Sequence, residues 1–146
     1  MQEFAGVVVA GGRGTRLGGS VPKQFLMIGG RTLLERSVAL LASHGAVSGV
    51  VAVLPPELLN AGAGAETSRI PGVVRVVAGG ATRAGSVLSG VEAAGAAKHV
   101  LVHDAARPLA SRELVDAVIA ATLSHGAAVP ALAIPDTVKE DDGEGV

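Results

Sequence analysis

The chain has 146 residues, 12 basic and 13 acidic side chains, no cysteine and two phenylalanines as its only aromatics. That length fits one ordinary domain, and the composition excludes disulfides, thiolate metal sites and cysteine nucleophiles. It also argues against a basic nucleic-acid footprint or a stacking platform for single strands. Hydrophobic residues make up 49%, yet no apolar run approaches the ~20 residues of a membrane helix. The opening Met1-Gln2-Glu3-Phe4 lacks the positive start of a signal peptide, so a cytoplasmic protein without membrane or nucleic-acid partners is expected.

In chain order, Val7-Val8-Val9 predicts a buried strand ending in the glycine turn Ala10-Gly11-Gly12. Leu33 to His44 reads as a helix, with Thr32 and Glu35 at capping-box spacing and Leu34, Val38 and Leu41 on one face. Val50 to Leu54 is a second strand, closed by Pro55-Pro56, and 60–68 has no clear period and reads as a loop or frayed helix. Val73 to Ala78 is a third strand, ended by Gly79-Gly80, before a helix from about Arg83 to Ala94 with Val87, Leu88 and Val91 apolar. Val100 to Val102 is a fourth strand. Ser111 then starts a helix to His125 with Leu114, Val115, Val118 and Ile119 inward, and Ala128 to Ile134 is a fifth strand.

Strands alternating with helices predict an α/β fold, a mostly parallel sheet with helices on both faces. Ligands of such sheets bind outside the carboxyl ends of the strands. Three of those ends, at 10–23, 79–86 and 103–108, carry glycine pairs or polar clusters. From Asp136 onward the acids outnumber the single Lys139, as a solvated tail or a shortened extended arm would.

The loop after the first strand carries Arg13, Arg16 and Lys23 and no acid. Glycines let backbone N–H groups approach a ligand, and the cations suit a polyphosphate. A P-loop needs Gly-Lys-Ser/Thr, but Lys23 lies between Pro22 and Gln24. A dinucleotide fingerprint needs a small residue at position 17, which is Leu17, and a helix at once. What remains is G-x-G-T-R-x5-P-K, from Gly12 to Lys23.

This motif resembles the signature loop of sugar nucleotidyltransferases. With Gly79-Gly80-x-x-Arg83-x-x-Ser86-Val87 and Val102-His103-Asp104-Ala105-Ala106-Arg107-Pro108, the chain resembles the 2-C-methyl-D-erythritol 4-phosphate cytidylyltransferase family from about Val7 to Lys139. The resemblance implies a Rossmann-like nucleotidyltransferase fold and transfer of CMP from CTP to a sugar-alcohol phosphate, with pyrophosphate leaving and Mg2+ bridging the phosphates. It implies that Arg16 and Lys23 stabilise charge on the α-phosphate and leaving group, and that Ala10, Gly11 and Gly12 line the nucleotide through their backbone. Gly80 and Ser86 would hold cytosine, Ala105 would approach the ribose, Asp104 would ligate magnesium, and Arg107 and Thr137 would contact the acceptor.

Plainer readings stand beside these. Ser86 could bond its own helix backbone, Asp104 could form a turn, Arg83 could be helix surface, and Thr137 could be an ordinary β-residue. His103 is taken as structural. Ala81 stands where some members carry an acid. The family's chain continues well past Lys139, so the resemblance implies a nucleotide-binding domain over 1–135, a truncated dimerisation arm over 136–146, and a missing carboxyl-terminal part of the fold. A homodimer is implied for the full length. The alternatives are a ribitol 5-phosphate cytidylyltransferase and a catalytically incomplete CTP-binding fragment.

Overall fold

In chain order the elements are β1 (Phe4–Val9), a 3-10 turn (Lys23–Phe25), β2 (Met27–Ile28), β3 (Arg31–Thr32), α1 (Leu33–Ala42) and β4 (Val47–Leu54). They continue with α2 (Pro56–Asn60), α3 (Ala63–Thr67), β5 (Val73–Ala78), α4 (Arg83–Ala93), β6 (His99–Asp104) and α5 (Arg112–His125). The computed structural model describes residues 3–11 and 21–138. The chain divides into two compact units, one ending at Arg112 and the other beginning at Glu113.

The first unit is built on a four-stranded sheet in the order β5-β4-β1-β6. Every neighbouring pair in it is parallel. β1 lies inside and is buried along its whole length. Continuous β-branched runs suit this position, because a central parallel strand is covered on both faces and has no polar side to present.

The pleat sends alternate residues to opposite faces. On one face Val7, Val9, Val51 and Val53 form a cluster against which Val87, Ala93 and Ala94 of α4 pack. On the other, Gly6 lies against Leu41 of α1, whose Leu34 and Val38 are fully buried. Helices therefore cover both faces, as expected. The capping box of α1 also forms: Glu35 N–H donates to Thr32 Oγ1 (3.1 Å), and Thr32 N–H donates to Glu35 Oε2 (2.6 Å).

Of the three apolar residues noted in α4, Val87 packs on the sheet and Leu88 is 58% exposed, and the buried residues of the helix are Ser86 and Gly90. A Cβ on Gly90 would collide with Val7 and stand 2.9 Å from Val53 Cγ2. Only the smallest residue lets the helix backbone come this close to a sheet of stiff valines.

Local elements complete the comparison. The 60–68 stretch is helical in part, where α2 ends and α3 forms. The chain after the 3-10 turn makes a small antiparallel ribbon, β2 with β3, clamped by Arg36 donating to the Ile28 carbonyl. The fifth strand expected over 128–134 is absent: those residues carry no strand and are mostly exposed. Pro130 and Pro135 cannot donate to a ladder, and no described strand pairs with the segment. In α5 the buried residues are Val115 and Ile119, and Leu114 is exposed.

Candidate functional site

Lys23, Gly80, Ser86 and Asp104 meet Ala10 and Gly11 around a cavity of about 270 Å³ at the carboxyl edge of the sheet. Arg83 and Ala105 also line it. The volume is just under the ~300–1,000 Å³ of small-molecule clefts. Position follows from topology, since the loops after β1, β5 and β6 all leave the same edge of a parallel sheet.

The wall from β1 is built by extending the ladder one residue past the strand. Ala10 N–H donates to Val53 O at 2.9 Å, and Ala105 N–H donates to Val9 O at 3.0 Å. Both amides are thus committed to the sheet, so Ala10 and Ala105 can offer a ligand their carbonyls and Cβ atoms but no N–H. Lys23 enters from the 3-10 turn, which Phe25 N–H closes on Pro22 O (2.9 Å). Among the described residues its ammonium has no ion-pair partner.

The wall from β5 is a tight turn. A Cβ on Gly80 would stand 2.9 Å from the Gly85 carbonyl carbon. That is backbone against backbone and cannot give, so the turn requires glycine. Thr82 caps α4, its Oγ1 accepting from Gly85 N–H at 3.0 Å. Ser86, 3% exposed, donates its hydroxyl to the carbonyls of Thr82 (3.0 Å) and Gly80 (3.3 Å). The plainer reading of Ser86 is therefore observed, and it coexists with a place on the cavity wall. A hydroxyl with its proton so engaged has only acceptor lone pairs left for a ligand.

The wall from β6 centres on Asp104, aligned with Val9 by strand pairing. Arg83 donates Nη2 (2.9 Å) and Nε (3.3 Å) to Asp104 Oδ1. Arg107 Nε lies 3.3 Å from Oδ2. The turn beyond is closed by Arg107 N–H donating to Asp104 O (3.0 Å), and His103 Nε2–H donates to Arg107 O at 3.1 Å. Burial pushes His103 below the ordinary histidine pKa, opposed by its bond to Arg107 and by the Asp104 charge. The ring nitrogen thus closes the turn on which Arg107 sits.

The structure thus brings together Ala10, Gly11, Lys23, Gly80, Ser86, Asp104 and Ala105. Arg107 reaches this group through Asp104 rather than by lining the cavity. Thr137 belongs to the second unit and is exposed. Gly12 and Arg16 lie outside the described residues.

Sequence reasoning missed two members and one supporting contact. Arg83 was equally readable as surface, although its fixed spacing after Gly79-Gly80 was a usable signal. Gln24 lines the cavity and is 1% exposed, and among the described residues neither side-chain amide atom has a hydrogen-bond partner. Such a group costs roughly 1–3 kcal/mol until one is supplied. Ser37 of α1 donates to Ala105 O at 3.2 Å from 68 residues away, a contact with no local signature.

Comparison with known proteins points the same way. The family profile described as IspD, 2-C-methyl-D-erythritol 4-phosphate cytidylyltransferase, matches residues 4–146. A 2-C-methyl-D-erythritol 4-phosphate cytidylyltransferase of Frankia casuarinae is 46% identical over 143 residues, 97% of this chain and 52% of that protein. A bifunctional IspD/IspF enzyme of Rhodospirillum rubrum is 42% identical over 145 residues, 98% of this chain and 38% of that one. A crystal structure of a 4-diphosphocytidyl-2C-methyl-D-erythritol synthase superposes with a TM-score of 0.75 at 28% identity, covering 100% of this chain and 67% of that chain. The chain spans about half, or less, of the length of these two curated relatives. With the Rossmann-like α/β sheet and the three motif loops at one edge, the chain belongs to the 2-C-methyl-D-erythritol 4-phosphate cytidylyltransferase family.

Proposed function

We propose that this chain supplies the nucleotide half of a cytidylyltransferase that moves CMP from CTP to 2-C-methyl-D-erythritol 4-phosphate and releases pyrophosphate. The observation that carries the reading is the convergence of Lys23, Ser86 and Asp104 on one cavity, from three loops distant in sequence. The acceptor phosphate oxygen forms a bond to the α-phosphorus of CTP, and the bond to the β-phosphate oxygen breaks. Charge spread over the transferring group is stabilised by fixed cations, which in this chemistry supply most of the catalysis. Lys23 is one such cation and Arg16 the other.

At the base end, Gly80 and Ser86 select cytosine. Ser86 has only acceptor capacity left, which favours the exocyclic amine of cytosine over the carbonyl of uracil, and the narrow Gly80 turn favours a pyrimidine. Gly11 and Gly12 bring backbone to the nucleotide. Arg107 serves the acceptor phosphate.

Among the described residues no group of three His, Asp or Glu side chains could cage a metal. Asp104 alone faces the cavity, with each carboxylate oxygen also receiving an arginine. That donor set fits Mg2+ held mainly by nucleotide phosphates and water with one carboxylate. Asp104 is the residue that would hold it, and the ion would draw charge from the phosphates.

No helix among the described residues is long and apolar enough to cross a membrane, which is compatible with a cytoplasmic enzyme. Val129, Leu132, Ile134 and Val138 are each at least 69% exposed, which suits a segment covered by a second copy in a homodimer. Calorimetric titration of the chain with CTP, UTP, ATP and GTP in magnesium tests the site. CTP should bind at least ~10-fold more tightly than UTP, given that an unmatched buried hydrogen-bonding group costs about 1–3 kcal/mol. Equal affinities would reject the cytosine assignment. Pyrophosphate release from CTP in magnesium, with the acceptor present and absent, tests the transfer.

A further inference from the structure

We infer that Arg83 is a positioning residue: through Asp104 it holds Arg107, so that the base end and the acceptor end of the cavity form one braced unit. The inference uses the cytidylyltransferase reading for what the brace serves, not for its existence.

The geometry is specific. β5 and β6 are the two edges of the sheet, with β4 and β1 between them. Arg83 opens the helix that follows β5, and Asp104 ends β6, so their ion pair joins the loops leaving opposite edges. Both ends of the tie are anchored. Thr82 caps the helix start beside Arg83, and Asp104 stands in register with Val9. Arg83 places two donors, Nη2 and Nε, on the single oxygen Oδ1. The planar fork therefore sets the carboxylate's rotation, and Oδ2 is turned toward Arg107 Nε at 3.3 Å.

Arg107 has no other side-chain tether among the bonds described, and its side chain is 77% exposed. Its backbone is fixed by the turn that His103 and Asp104 close, but its guanidinium is aimed only by Asp104. Removing Arg83 would free the carboxylate to rotate and Arg107 to swing. Three charges, two positive and one negative, would then lose their common arrangement beside Lys23. Exposed pairs of this kind contribute little to stability, so the arrangement is better matched to orientation than to folding.

The test reads the brace directly. In the ligand-free chain, ¹⁵N spectra of arginine Nε–H groups are compared for wild type, Arg83→Gln, Arg83→Lys and Asp104→Asn, with Arg107→Lys assigning the Arg107 signal. The Arg107 signal should move in Arg83→Gln and in Asp104→Asn, and return part of the way in Arg83→Lys, although Arg83 does not touch Arg107. A signal unmoved by Arg83→Gln but moved by Asp104→Asn overturns the brace.

Calorimetry with CTP and magnesium then reads its use. Arg83→Gln should weaken binding roughly 10-fold, with Arg83→Lys intermediate, since a bidentate charged contact is lost and then partly replaced. Unchanged affinity in Arg83→Gln overturns the functional half. A wild-type chain that binds no CTP sinks the cytidylyltransferase reading, and the spectra alone then uphold or overturn the brace.

Discussion

Helices α1 and α4 cover opposite faces of the same sheet, span 10 and 11 residues, and each begins with a threonine whose hydroxyl accepts a backbone N–H. They pack by different means. α1 buries Leu34, Val38 and Leu41 together with Ser37. α4 buries Ser86 and Gly90 and leaves Leu88 and Val91 toward solvent. The first is an anchor whose apolar stripe supplies core. The second lies close on the sheet because Gly90 and Ser86 are small where it meets the strands, and that closeness sets Ser86 and Arg83 at the cavity. A helix that carries a site and one that carries a core need different residues on their inner faces.

Truncating the anchor should have the largest effect on folding. Leu34→Ala removes a fully buried side chain and should cost about 2–5 kcal/mol, read by chemical denaturation. Nucleotide affinity of the folded fraction should stay unchanged. A large loss of affinity would mean that α1 is also part of the site.

The matching change in α4 adds bulk. Gly90→Ala gains up to ~1 kcal/mol of helix propensity but overpacks against Val7 and Val53, typically costing about 1–3 kcal/mol. Overpacking should win, and lifting the helix should weaken CTP binding as well. A stabilised variant with intact binding would show that the close approach is not required.

Two buried serines sharpen the contrast. Ser37→Ala and Ser86→Ala each remove a hydroxyl that bonds backbone carbonyls, and each should lose about 1 kcal/mol of stability. Ser86→Ala alone should also reduce the preference for CTP over UTP. Similar loss of preference in both variants would place the specificity elsewhere.

The smallest effect expected is that of pH. Burial lowers His103 from its usual 6.5, so in the window below that value the unfolded chain takes up a proton that the folded chain refuses. Stability from this group is full above the unfolded value and is lost as pH falls through the folded one. Denaturation between pH 7.5 and 5 should show the decline, and His103→Gln should flatten it. An unaltered slope in that variant would assign the dependence to other groups.

The periodic and local features were legible in the sequence. Val7 to Val9, the Thr32–Glu35 cap and the Leu34–Val38–Leu41 stripe follow from strand burial, hydrogen-bond geometry and helical spacing, and each recurs in the structure. So do the turns after β5 and β6 and the described ends of the loop after β1, because a parallel sheet must bring its carboxyl ends to one edge.

Other features depended on partners far away in the chain. The inner face of α4 is set where Gly90 meets Val7 with no room for a Cβ, while Leu88 and Val91 stay toward solvent. Arg83 could be surface or site until the fold placed Asp104, 21 residues on, within 2.9 Å. The 128–134 run has strand-like residues but makes no ladder, since a strand exists only where a neighbour supplies the other half of its hydrogen bonds. Sequence alone determined the four strands of the parallel sheet, the helices α1, α4 and α5, and the strand ends at which glycine pairs and polar clusters fall. Tertiary structure decided how closely the helices lie on the sheet and which charges pair, because both are set by distances between residues remote in the chain.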